Sequence, residues 1–150
     1  MTTALLNERA SVPEIPFDDF VVDRPDGEVW ELIDGRRIMQ AQPSVAHQVI
    51  AGNVERLLND AMEAEGDRIA VQATTIDMSD GPGGRYVPDV AVLDADEEGM
   101  TRNVSTRCHL AVQVVSPSDH RRDEDGKSRI ETKVDGYRRL PSCDIIRVIQ

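Results

Sequence analysis

The sequence predicts one α/β domain: a mixed sheet flanked by two principal helices, with a β-hairpin near its N-terminus. Three observations lead there. Asp34-Gly35 sits between two apolar-bearing runs, the preferred dipeptide of a tight hairpin. Two stretches carry apolar residues at helical spacing. Two short, nearly continuous apolar runs, at 87–93 and 110–115, each hold a single polar side chain. Runs of that kind suit strands covered on both faces. A length of 150 residues matches one domain of ordinary size.

The elements follow in order. Residues 1–27 are acidic, contain Pro13, Pro16 and Pro25, and read as an arm or lead-in rather than a core element. Residues 29–33 and 36–41 form the hairpin, with Trp30 and Leu32 on one face and Glu31 and Ile33 on the other. Ser44 is a natural N-cap for a helix in which Val45, Val49, Ile50, Val54, Leu57, Leu58 and Met62 recur at helical spacing, and Gly66 ends it. Ile69 to Met78 reads as a strand and 79–84 as a loop. The two apolar runs supply further strands. Residues 117–126 are polar and contain Pro117 and Gly126. A second helix runs from Lys127 to Leu140, Pro141 stops it, and Cys143 to Ile149 gives the last strand.

Charge excludes some functions. With 17 basic and 28 acidic residues the chain is at −11, which rules out a globally basic nucleic-acid binder. The charge is divided: residues 1–100 carry 7 basic and 21 acidic side chains, net −14, and residues 101–150 carry 10 and 7, net +3. No apolar run reaches the roughly 20 residues of a membrane span. The N-terminus lacks the basic and apolar regions of a signal peptide, so a cytoplasmic location is expected. Cys108 and Cys143 are too few for a disulfide framework and read as free thiols. His47, His109 and His120 show no metal-ligand spacing.

The polar residues inside the apolar runs are the informative ones. A buried carboxylate such as Asp89 costs several kcal/mol unless it is paired or meets a cation. Gln113, in the next run, also needs partners. Lys133 flanks the apolar face of the second helix. The chain uses Arg for 15 of its 17 cations, and both lysines, Lys127 and Lys133, lie in this one helix. A carboxylate, a second oxygen ligand on a neighbouring strand and a lysine form a candidate hydrolytic site in which Mg²⁺ binds carboxylate, water and phosphate. Glu31 is a further candidate acid, although its position alone equally suits a solvated strand residue. Asp89 as a turn cap and Gln113 bonded to a loop are the purely structural alternatives.

Five segments in order carry a resemblance: Trp30-Glu-Leu-Ile-Asp-Gly35, Pro43-Ser-Val-Ala-His-Gln48, Arg85-Tyr-Val-Pro-Asp-Val90, Val112-Gln-Val-Val-Ser-Pro-Ser118 and Lys133-Val-Asp-Gly-Tyr-Arg-Arg-Leu-Pro-Ser142. Over residues 28–150 the chain resembles the bacterial Uma-two family, restriction-endonuclease-like proteins of the PD-(D/E)XK nuclease superfamily. The resemblance implies a restriction-endonuclease-like mixed central sheet with flanking helices and Mg²⁺ (or Mn²⁺) chemistry on DNA. It maps the motif aspartate to Asp89, the motif lysine to Lys133 and an accessory glutamate to Glu31, and gives His47 a characteristic place at the start of the first helix, expected at the substrate.

Two departures stand out. Gln113 replaces the usual acid of the second motif, which weakens metal binding. Family members also usually continue past the last strand, so the resemblance implies a domain shortened at its C-terminus. In this reading Asp89, the Gln113 oxygen and the Val114 carbonyl hold the metal, and Lys133 positions water. Arg102, Arg107, Arg121, Arg122, Arg138 and Arg139 are candidate phosphate contacts. The alternative is a nuclease-fold protein without catalysis, serving as a binding or assembly module. Either way a homodimer or higher homo-oligomer is expected.

Overall fold

The computed structural model describes residues 15–96, 100–101 and 103–150. Expectations for residues 1–14, for Glu97 and Glu98 and for Arg102 lie outside the described residues. The elements are α1 (Phe17–Val22), β1 (Trp30–Ile33), β2 (Arg36–Met39), α2 (Val45–Met62), β3 (Arg68–Gln72), β4 (Thr75–Asp77), β5 (Arg85–Tyr86), β6 (Val90–Asp94), β7 (Val104–Ser105), β8 (Leu110–Val114), a 3-10 turn (Pro117–His120), α3 (Arg129–Arg138) and β9 (Ile145–Ile149).

The α/β class is as the sequence implies, but the strands form two sheets. One has the order β2-β1-β5-β4-β7 and the other β3-β6-β8-β9. Pairings β4–β7 and β8–β9 are parallel and the others antiparallel. The stretch expected as one strand, Ile69 to Met78, is the reason. Ala73 adopts φ 51, which ends β3 in one sheet and lets β4 start in the other. The chain crosses back between β5 and β6, through residues 87–89.

The hairpin turns at Asp34 and Gly35, both at positive φ (50 and 74), as a type I′ turn demands. Glu31 and Ile33 point inward and are buried. The lead-in holds the short helix α1, none of whose residues is buried. It rests on the hairpin through Phe20, edge-on to Trp30 at 5.0 Å, and through Asp18, 3.1 Å from Arg85.

α2 begins as expected, with Ser44 Oγ accepting the His47 N–H at 3.1 Å. Its apolar stripe is only half used. Ala51 is buried, and Val54, Leu58 and Met62 pack with Ala70, Val90, Val92 and Val112, while Val45, Val49, Ile50 and Leu57 stay exposed. Asn59 closes the outer edge of β3: its side chain accepts the Ala70 N–H at 2.8 Å and donates to the Ala70 carbonyl at 3.0 Å. No helix of the described residues is long and apolar enough to cross a membrane.

The second sheet is covered on both faces, which explains the two apolar runs. Val90, Val92 and Val112 face α2. Ala91, Leu93 and Ala111 face a second core containing Ile33, Ile76, Met78, Tyr86, Tyr137 and Leu140. Strand alternation therefore gives Asp89 and Gln113 to this second side. α3 closes it. Ser128 Oγ accepts the Glu131 N–H at 3.3 Å and Glu131 Oε2 accepts the Ser128 N–H at 2.8 Å, so the helix starts at Arg129 rather than Lys127.

Gly136, in mid-helix, lets the Tyr86 ring lie against α3; an added Cβ would stand 2.4 Å from Tyr86 Cε2. Gly136→Ala is expected to lower unfolding stability by about 1–3 kcal/mol, despite the better helix propensity of alanine, as measured by urea denaturation.

Candidate functional site

The site forms where the chain passes from one sheet to the other. Val87 lies at this crossing, and side chains take both of its backbone polar groups. Glu31 Oε1, from β1, accepts the Val87 N–H at 2.8 Å. Lys133 Nζ, from α3, donates to the Val87 carbonyl at 3.0 Å, and Gln40 Nε2 donates to it at 3.1 Å. Lys133 and Glu31 also pair directly, Nζ to Oε1 at 2.6 Å, with 2% of each side chain exposed. Glu31 is thus not the solvated strand residue its position also suited.

Two residues on, Asp89 enters a second network. Its Oδ2 accepts the Val114 N–H at 2.7 Å and the Gln113 Nε2–H at 3.0 Å. Gln113 Oε1 accepts the Tyr137 hydroxyl at 3.2 Å. His47, from the first turn of α2, brings Nε2 to 3.2 Å from Asp89 Oδ1. Burial pushes the Asp89 carboxyl above its usual range; the Val114 N–H, His47 and Lys133 act against this, and Asp119 adds to it. Tyr137 is fully buried beside these charges, which holds its hydroxyl protonated far above neutral pH. The Tyr86 ring backs it edge-on at 5.4 Å.

Glu31, His47, Asp89, Gln113, Val114 and Lys133 therefore come together from five parts of the chain. Val114 meets Asp89 through its N–H. The arginines are more scattered. Arg107 lies 3.7 Å from Asp94, at the far end of β6, one strand length of about 16 Å from Asp89. Arg121 and Arg122 are exposed beyond the 3-10 turn, and Arg138 and Arg139 at the end of α3, with Arg138 3.6 Å from Asp135.

Sequence reasoning missed Tyr137 and Gln40. Tyr137 reads as one more apolar residue of α3, and nothing in its spacing reveals that its hydroxyl meets an amide in a strand. Gln40 ends the hairpin without a motif of its own.

Among the described residues no three His, Cys, Asp or Glu side chains are grouped as a protein-only metal cage requires. Magnesium needs less, typically one or two carboxylates completed by water and substrate phosphate. Asp89, a desolvated carboxylate with an amide beside it, fits that requirement. Asp89 and Gln113 would hold the ion. Gln113 now presents its N–H to Asp89 and its oxygen to Tyr137, and the Tyr137 hydroxyl can serve either end of the amide, since a hydroxyl donates and accepts.

Two outcomes are expected. Lys133→Met leaves Glu31 charged and unpaired in the interior, and should cost about 3–5 kcal/mol of unfolding free energy; Glu31→Gln with Lys133→Met together should recover part of it. Asp89 titrates higher folded than unfolded, so its ionisation costs stability as pH rises through the folded value. Asp89→Asn should therefore raise the melting temperature at neutral pH, and the gain should vanish towards acid, where the wild-type carboxyl is protonated. A melting-temperature profile against pH checks both the sign and the window.

A profile of the Uma-two family, described as putative restriction endonuclease, matches residues 17–140. The crystal structure of a putative nuclease belonging to DUF820 from Anabaena variabilis has a similar fold, with a TM-score of 0.56 and 19% identity; the match covers 69% of this chain and 60% of that one. No curated protein matches. With the profile running over more than four-fifths of its length, from α1 to the end of α3, the chain belongs to the Uma-two putative restriction endonuclease family.

Proposed function

We propose that the protein is a divalent-cation-dependent endonuclease that hydrolyses DNA phosphodiester bonds at the Asp89 site. The observation that carries this reading is the convergence of Asp89, Gln113 and the Lys133–Glu31 pair on one crossing point, in the order of the family motifs. Bound there, Mg²⁺ or Mn²⁺ would supply Lewis-acid stabilisation of phosphate charge and a more acidic water. Asp89 would hold the ion, and the Val114 N–H orients the Asp89 carboxylate. Lys133 commits one donor to Glu31 and one to Val87, which leaves its third for the attacking water or the charge developing on phosphate. His47 lies at the mouth of the site, beside Asp89, on the side a substrate phosphate would enter. Arg121, Arg122 and Arg138 are exposed cations for the flanking backbone. In a chain at −11 such contacts give weak, strongly salt-dependent engagement.

A second reading is a nuclease-fold module that binds or assembles, as a homo-oligomer, without cutting. Gln113 favours it, because an amide removes one full charge from the metal site. At roughly 4 Å and an effective dielectric near 20 that charge is worth about 4 kcal/mol of attraction before desolvation.

Calorimetric titration with Mn²⁺ and Mg²⁺, alongside cleavage of plasmid and linear DNA, separates the two. Gln113→Glu should bind metal at least about tenfold more tightly than wild type, and Asp89→Ala should not bind it. Equal titrations for all three would remove the site assignment. Intact DNA throughout, together with a stable oligomer, would select the assembly module.

A further inference from the structure

We propose that Cys143 and Cys108 form a reactive dithiol that reduces a small-molecule disulfide and closes into a disulfide within the chain. The two cysteines are 35 positions apart in sequence. The parallel pairing of β8 and β9 sets Leu110 opposite Ile145, and continuing that register two residues back, ahead of the paired strands, brings Cys108 level with Cys143. Adjacent strands lie about 4.8 Å apart, within the Cα separation of about 4.4–6.8 Å that disulfides use.

The backbone there is held in place. The Asp144 N–H donates to the His109 carbonyl at 3.0 Å. Ser142 Oγ accepts the Cys108 N–H at 3.1 Å and donates to the Cys108 carbonyl at 3.4 Å. Cys143 packs on the core cluster that contains Cys108, and each thiol donates to the carbonyl two residues further on, Cys108 Sγ to Leu110 at 3.3 Å and Cys143 Sγ to Ile145 at 3.5 Å.

The two thiols are unequal, as attacking and resolving thiols must be. Cys143 is half-buried and Cys108 fully buried. The neighbouring Cys108 lowers the Cys143 pKa, and the neighbouring Cys143 together with burial pushes the Cys108 thiol up. A cleft of about 320 Å³ is lined by Arg107 and Ser142, the chain neighbours of the two cysteines, together with Asp80, Thr106, Leu140 and Pro141. Arg107 offers a cation to a carboxylate-bearing disulfide such as that of glutathione.

The exchange balances as follows. The Cys143 thiolate attacks one sulfur of the reagent, the reagent S–S bond breaks, and one half leaves as thiolate. Cys108 then gives up its proton to solvent and attacks the Cys143 sulfur, expelling the second half. Two protein thiols are oxidised and one reagent disulfide becomes two thiols. No part of this depends on nuclease activity.

The test is incubation of the full chain with excess glutathione disulfide, followed by thiol counting and intact mass. Wild type should lose both thiols and two hydrogens, retain no glutathione and stay uncrosslinked between chains. Cys108→Ser should stop with one glutathione per chain on Cys143, and Cys143→Ser should take up none. Cys108→Ala, with circular dichroism as a fold control, should behave as Cys108→Ser. A wild type that keeps both thiols, retains glutathione as a stable adduct or crosslinks only between chains would overturn the proposal, as would uptake by Cys143→Ser.

Discussion

The buried ion pair between Glu31 and Lys133 is the constraint on which the rest of the arrangement depends. It joins the hairpin of one sheet to the helix packed under the other, and both partners grip Val87 at the point where the chain changes sheets. A dry ion pair contributes little net stability by itself, since desolvation offsets most of the attraction. Its value here lies in the hydrogen bonds it adds. The N–H and carbonyl of Val87 belong to no strand, and without Glu31, Lys133 and Gln40 they would be buried without partners. With them, Pro88 and Asp89 follow in a fixed direction, and Asp89 reaches the end of β8.

From that point the polar network continues inward, from Asp89 to Gln113 to Tyr137, with a T-shaped contact to Tyr86 behind it. Each member has a partner, which is the condition under which a polar cluster in a core adds order rather than strain. The cluster also explains a tension in the charge distribution. Among the described residues, most acidic side chains of the first hundred positions are exposed, whereas Asp89 is held where burial opposes its ionisation. Burial opposes the charge of Asp89, while the Val114 N–H, His47 and Lys133 favour it.

Much of this was legible in the sequence, for identifiable reasons. Asp34-Gly35 admits essentially one turn, Ser44 is a natural cap for the first long helix, and the runs around Val90 and Val112 are apolar on both faces because both faces are covered. Asp89 and Gln113 stood out because polar groups in such runs demand partners. What the sequence did not show depends on tertiary context. Ala73 takes a left-handed conformation that alanine does not advertise, so one expected strand became two and one sheet became two. The exposed half of the α2 stripe shows that helical periodicity predicts a helix more securely than it predicts what that helix touches. Glu31 and Lys133 could be suspected singly, but their pairing joins residues more than a hundred positions apart, and Tyr137 has no local signature of a hydrogen-bonding role.

The contact between Asn59 and Ala70 bears on association rather than on the site. A strand at the rim of a sheet offers its outward N–H and carbonyl to any extended segment that drifts past. On β3 the side-chain amide of Asn59 occupies both groups of the central residue, imitating the partner strand that is not there. An intruding chain would have to displace two good hydrogen bonds and the flank of α2 before its own ladder could begin. One asparagine thus acts as a stopper against sheet-to-sheet growth along that rim, in a chain whose helix nearby leaves apolar side chains open to solvent.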